Sequence, residues 1–222
     1  MTTRQNPRRR APGRPPKARG DQRGRLLDVA LELFARQGIA ATPLSAIARR
    51  ARVTPAMLHY YFGNREQLLD ALVDERFIPL MMTLRARLDR PDLAPAQQVS
   101  VFVQHLLEVL LANEWFPPLW LREVLSEGGL LRERLLSRIA GAIAPRVGAA
   151  VAAAQANGTL NRDLDPRLTV VSLIGLTVFL VAAKPIWSRI FDATDLEPAD
   201  IARHTLALLH RGLEIPDELR TV

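Results

Sequence analysis

Cysteine is absent from the 222 residues. That excludes a disulfide scaffold, a thiolate metal site and a thiol redox switch. A glycine-rich phosphate loop, a metal-ligand motif and any strand-like alternation of useful length are also missing. The four histidines, His59, His105, His204 and His210, are scattered, and the last two stand six apart, a poor spacing for one helical face. The chain is therefore expected not to be an enzyme and to hold no cofactor or metal. The N-terminus is charged and proline-rich without an apolar centre, unlike a secretory signal. The longest uncharged apolar run, Leu168 to Ala183, has 16 residues, short of the ~20 that cross a bilayer. A buried helix is expected there, no membrane partner, and a cytoplasmic location, with which the lack of cysteine is compatible.

Hydrophobic residues make up 48% of the chain, ample for a buried core. The net charge of +7 is unevenly spread. Residues 1–25 carry nine basic residues and one acid, +8, leaving 21 basic and 22 acidic residues, −1, in the remainder. Residues 1–20, with four prolines and almost no apolar content, are expected to be a disordered basic arm suited to a polyanion. Its segment APGRPPK is similar to an AT-hook, with Arg14 as the arginine lying along a narrow A·T minor groove. The alternative is a generic basic tail that adds phosphate contacts.

Beyond the arm every periodic segment is helical. Leu27, Ala30, Leu31 and Phe34 mark a first helix over about 23–37, with Gly38 as its stop. The stretch TPLSAIARRARVTPAMLHYYFGNR, residues 42–65, reads as two short helices joined by a tight turn. Thr42 with Pro43, and then Thr54 with Pro55, supply two successive N-terminal caps. Ile47, Ala48, Ala51 and Val53 form a seam for Leu58 and Phe62, and Arg49, Arg50, Arg52 and Arg65 add charge without any acid. That is a helix-turn-helix over 43–62. The second helix leaves Thr54, Pro55, Ala56, Met57, His59 and Tyr60 for DNA. Tyr60 and Tyr61 suit phosphates, and Ala56 and Met57 suit thymine methyl groups. Thr42 and Ser45 stand where backbone amides suit phosphate, and Arg65 with the next helix N-terminus makes a phosphate clamp. At least one of the three clustered arginines, with Arg52 as the site residue among them, is expected to reach a phosphate. Asn64 and Gln67 form a capping-box signature for a helix running to about Leu88.

The first-helix pattern LLDVALELFARQG, the segment TPLSAIA and the run VTPAMLHYYFGNREQLLDAL together resemble the DNA-binding domain of the tetracycline-repressor (TetR) family, over about residues 21–81. The resemblance implies an all-α protein, with a three-helix DNA-binding domain at the N-terminus and a helical ligand-binding and dimerisation domain at the C-terminus. It further implies a homodimeric regulator, most often a repressor, released from a palindromic operator by a small molecule. Similar proteins carry tyrosine at the position of His59 and lysine at that of Arg65. His59 thus replaces a phosphate donor in kind, or reads base edges, or makes DNA affinity pH-sensitive.

Asp89 to Pro95 reads as the link to a regulatory domain over 90–215. Helices are expected at about 96–112, 118–126, 130–157 with a kink at Pro145, 166–184 stopped by Pro185, and 198–213. The last two are expected to pair with their copies in a dimer, the alternative being packing within one subunit. Phe102, His105, Trp115, Phe116, Trp120 and Phe179 are candidates for lining a pocket, or else ordinary core aromatics, and the ligand is expected to be small and apolar or amphipathic. A second function remains open on sequence alone: an architectural, A·T-biased DNA-binding protein led by the arm, with no ligand switch.

Overall fold

A computed structural model describes residues 17–213 except 91, 140 and 142. Among them the chain forms twelve α-helices. The first three are α1 (Lys17–Gln37), α2 (Leu44–Ala51) and α3 (Pro55–Phe62). Next come α4 (Arg65–Leu72), α5 (Ile78–Leu88), α6 (Pro95–Ala112), α7 (Phe116–Trp120) and α8 (Arg132–Ile139). The chain continues with α9 (Ala144–Ala156), α10 (Pro166–Ala182), α11 (Lys184–Ile190) and α12 (Pro198–Leu213). Residues 1–16 of the arm, with Arg14, lie outside the described residues, whereas residues 17–20, expected to be disordered, form the first turn of α1, which therefore starts before the expected residue 23.

Local chemistry explains most of the boundaries. Gly38, at φ +86°, ends α1 in a conformation that L side chains rarely adopt. Thr54 caps α3 by accepting the Met57 N–H at 3.2 Å, with Pro55 behind it. Asn64 and Gln67 complete the expected capping box of α4. Asp165 caps α10 through the amides of Arg167 and Leu168. The hydrogen bond from the Arg167 side chain is the largest cause holding the Asp165 carboxyl below the usual carboxylate range. The cap therefore stays ionised above the ordinary Asp range and is lost only as the pH falls through that lowered value.

Four boundaries differ from expectation. Thr42 does not cap α2: its hydroxyl donates to the Gly38 carbonyl at 2.7 Å, and Pro43 takes the N-cap position without a side-chain bond. The predicted helix over 65–88 is interrupted by a π-helical turn at Val73–Phe77 that seats both Val73 and Phe77 in the core. The expected 130–157 helix is two helices, α8 and α9, and Pro145 lies in the first turn of the second. Pro185 does not simply stop α10. It sits in the first turn of α11, which leaves α10 at a bend of 69°.

The buried side chains form one continuous cluster from Leu26 in α1 to Leu209 in α12. α1–α3 wrap Leu26, Leu27, Phe34, Ile47, Leu58 and Phe62 into the N-terminal end of that cluster. α6, α9 and α10 pack side by side as the centre of the C-terminal half. No single helix among the described residues is long and apolar enough to cross a membrane. Asn64→Ala removes one half of a complete capping box, so an expected loss of about 1 kcal/mol should appear in urea unfolding, with Gln67→Ala no worse.

Candidate DNA-reading face and effector cavity

α3 is held from below and left open above. Leu58 and Phe62 are buried, whereas Thr54, Pro55, Ala56, Met57, His59 and Tyr60 are exposed, Tyr60 at 74%. The hold is reinforced by arginines that the sequence reading did not single out. Arg23 stacks its guanidinium 4.5 Å above the Phe62 ring, donates to the Tyr61 carbonyl at 2.5 Å and pairs with Glu75 at 2.6 Å. Arg25 donates to the Ala51 carbonyl at the end of α2, and Arg76 to the Gly24 carbonyl of α1. Spacing gave no signal for these bonds, because each partner lies far away in the chain.

The expected DNA-binding residues fall into three groups. Ser45 and Arg52 are exposed beside α3, and Arg52 ends α2 in the left-handed region at φ 57°. Of the other two clustered arginines, Arg49 is exposed, while Arg50 pairs with Glu32 at 2.9 Å. Tyr61 is half-buried with its ring edge against Tyr60. Two residues are turned inward. Thr42 is 1% exposed and its hydroxyl donates to the Gly38 carbonyl, so its side chain faces the corner rather than the surface. Arg65 donates to the Ile39 carbonyl and so fastens the α1–α2 corner. His59 holds its Nδ1 2.5 Å from the Gly63 carbonyl. A carbonyl only accepts, so Nδ1 carries the proton, and in the neutral ring Nε2 is an acceptor.

The C-terminal half contains a cavity of about 150 Å³. Its wall comprises Met81 and Leu84 of α5, Phe102 and Leu106 of α6, Phe116 and Trp120 of α7, and Val124 just after it. Leu135 and Leu136 of α8, Ile143 and Ala144, and Val170, Ile174 and Val178 of α10 complete it. Phe102, Phe116 and Trp120 are thus where the pocket reading placed them, with the Phe116 and Trp120 rings stacked 5.7 Å apart. Three candidates are not. Trp115 packs edge-on against Phe77, behind the wall. His105 points to Thr83 (3.1 Å) and Glu108 (2.9 Å). Phe179 is 65% exposed on the outer side of α10, because a 3.6-residue period puts it opposite Val170 and about 100° round from Val178.

Two structural ties join the cavity to the DNA-reading unit. Between the wall residues Trp120 and Val124 stands Glu123, 5% exposed. Its Oε1 accepts the Ile39 N–H at 2.8 Å, and its Oε2 accepts the Leu130 N–H at 3.3 Å. Beside the wall residues Leu135 and Leu136, Arg134 pairs with Glu66 and, at 3.2 Å, with Asp70. Arg138 pairs with Asp70 at 3.1 Å and Asp74 at 3.3 Å. Both arginines thus hold α8 to α4 and the π-helical turn.

A helix-turn-helix presented over a helical bundle with its own cavity is the build of a DNA-binding regulator. Residues 26–72 match the profile of bacterial regulatory proteins of the tetR family, and residues 95–209, more than half of the chain, match that of the tetracyclin repressor-like C-terminal domain. The chain belongs to the TetR family of bacterial regulators, whose members are regulators and not enzymes. It is 28% identical over 118 residues to the HTH-type transcriptional regulator SrpR of Pseudomonas putida, a match covering 52% of this chain and 53% of that one, so it spans about half the length of this relative. The ketosteroid transcriptional regulator KstR2 of Mycobacterium tuberculosis has the same fold, with a TM-score of 0.67 at 18% identity, over 88% of this chain and 96% of that one. So has AibR, solved with isovaleryl coenzyme A and operator DNA, with a TM-score of 0.68 at 22% identity, over 84% and 97%.

Glu123→Ala strands the buried Ile39 amide and frees the partly exposed Leu130 amide, and an expected loss on the order of 1–3 kcal/mol follows from the one unpaired buried donor. Gly129→Ala should also destabilise, since its Cβ would lie 2.3 Å from the Glu123 carbonyl oxygen. Chemical denaturation of both variants, with Glu127→Ala as a surface control, checks this.

Proposed function

We propose that the chain is a homodimeric transcriptional repressor of the cytoplasm that binds a near-palindromic operator and leaves it when a small apolar molecule enters the cavity. The observation that carries this reading is the double fastening of the cavity wall. Trp120 and Val124 flank the carboxylate that holds Ile39, and Leu135 and Leu136 flank the arginines that hold α4. A molecule that parts these walls has unequal affinity for the two positions of the DNA-reading unit, which is what linkage requires. In a dimer the consequence is a changed distance between two α3 helices that must meet successive major grooves about 34 Å apart.

Dimerisation is supported by what α10–α12 leave uncovered. Leu168, Val171 and Phe179 of α10, Ile186 and Ile190 of α11, and Leu208 of α12 are each more than half exposed. An apolar face of that extent calls for a second surface. A copy of the same chain supplies one by two-fold symmetry, as a palindromic site demands. Within one subunit α10 is covered on its Thr169–Val170–Leu173–Thr177–Val178 side, which goes against the alternative that it packs only within that subunit.

On DNA, α3 is the reading helix, with Thr54, Pro55, Ala56, Met57, His59 and Tyr60 toward the groove and Ser45, Arg52 and Tyr61 toward the backbone. His59 suits a base edge better than a phosphate, since its neutral Nε2 accepts and so pairs with an exocyclic amino group. His59→Ala should relax preference at one base position per half-site and leave the salt dependence unchanged; an altered salt slope with intact preference would make it a phosphate contact instead. Phe179→Arg should give a monomer at micromolar concentration in sedimentation, against a wild-type dimer. The whole reading is tested by selecting genomic fragments on the purified protein at near-physiological salt. One sharp inverted repeat is expected, whereas a broad A·T-rich population would favour an architectural role led by residues 1–20.

A further inference from the structure

The geometry points to an effector that is uncharged and compact: a hydrocarbon-bodied molecule about the size of an alkylbenzene, not a carboxylate, a phosphate ester or a long-chain acyl conjugate. This rests on the reading of the cavity as the effector site and narrows it. All the side chains that line the cavity are apolar or aromatic. The Trp120 indole N–H is the single side-chain N–H or O–H among them, so one acceptor atom on the ligand can be met and an anion cannot. A buried carboxylate without a partner costs several kcal/mol, more than the packing of a small molecule returns.

The ionisable groups nearest the wall are committed elsewhere. Arg134 and Arg138, which flank Leu135 and Leu136 in α8, are spent on Glu66, Asp70 and Asp74. Arg132 donates to the carbonyls of Val124, Leu125 and Ser126. Arg122 lies against Gly38, Glu123 accepts two backbone amides, and His105 is paired with Glu108 and Thr83. An anionic effector would have to break the pairs that hold α8 to α4 merely to be neutralised. The size limit follows from volume: about 150 Å³ is the scale at which an apolar protein cavity stays dry and takes up benzene. Leu136, 50% exposed, marks the side on which the wall meets solvent.

The test uses the four methionines as reporters in the full-length protein, labelled with ¹³C at the methyl group. Met81 lines the cavity, and Met57 on the exposed face of α3 serves as the internal control. Met81→Leu, a volume-conserving exchange, assigns the signal. Ethylbenzene and phenylacetate form a matched pair, a methyl group being replaced by a carboxylate. Ethylbenzene is expected to shift Met81 saturably and leave Met57 in place, with phenylacetate at least about a hundredfold weaker, as an unpaired buried charge requires. The inference is overturned if phenylacetate matches ethylbenzene at Met81, if neither moves Met81 up to the solubility of ethylbenzene, or if all the methionines respond alike. Val178→Phe, which fills the cavity, should abolish the Met81 response; should it fail to fold, the wild-type titration still decides. Operator binding is measured separately on the same samples. Ethylbenzene bound at Met81 with operator affinity unchanged would sink the release mechanism and leave the ligand class standing.

Discussion

The buried carboxylate of Glu123 is the contact on which the arrangement of the two halves depends. It leaves water, and the cost is offset by two backbone amides, of which that of Ile39 is itself buried and would otherwise be unpaired. One of those amides, at Ile39, belongs to the corner between α1 and α2. The other, at Leu130, belongs to the loop that leads into α8. Gly38 and Gly129 let backbone approach closely on both sides: the former turns at positive φ under Arg122, and the latter lies where a Cβ would strike the Glu123 carbonyl. One side chain therefore links the α1–α2 corner to the loop before α8, beside the ion pairs that Arg134 and Arg138 make with α4 and the π-helical turn.

From that joint outward, the structure separates parts that must be rigid from parts that need two positions. α1–α3 share a core of fully buried leucine, isoleucine and phenylalanine and are bolted by arginines to backbone carbonyls. Such a unit moves as a body and keeps the α3 face intact. Beside the buried Glu123–Ile39 bond, the remaining ties run from α4 and the π-helical turn to α8 and are partly exposed ion pairs, individually weak and sensitive to their surroundings. Strong contacts within a unit and weak ones between units are what a small differential binding energy needs in order to shift a population.

The uncovered face of α10–α12 and the cavity lie on opposite sides of the same helix. Val170, Ile174 and Val178 of α10 face the cavity, while Leu168, Val171 and Phe179 face outward. α10 thus has no polar side, and the uniformly apolar run that resembles a short membrane segment is explained by two apolar surroundings, one inside the subunit and one outside it.

By itself the sequence determined the all-helical class, the helix-turn-helix and the caps at Thr54 and Asn64. These depend on residues within a turn or two of one another, where periodicity and capping chemistry act directly. Phe102, Phe116 and Trp120, singled out by aromatic clustering, line the cavity. Other features were decided only by the tertiary structure. Thr42 turned inward to donate to the Gly38 carbonyl, a contact that exists only once the corner between α1 and α2 has formed. The helix after α4 is broken by a π-helical turn at Val73–Phe77 that no local sequence pattern signals. Phe179 went to the outer face because its distance from Val178 along the helix is one residue, about 100° of rotation. The Glu123–Ile39 bond joins positions far apart in the chain, and no local pattern encodes a contact that exists only once two units have packed.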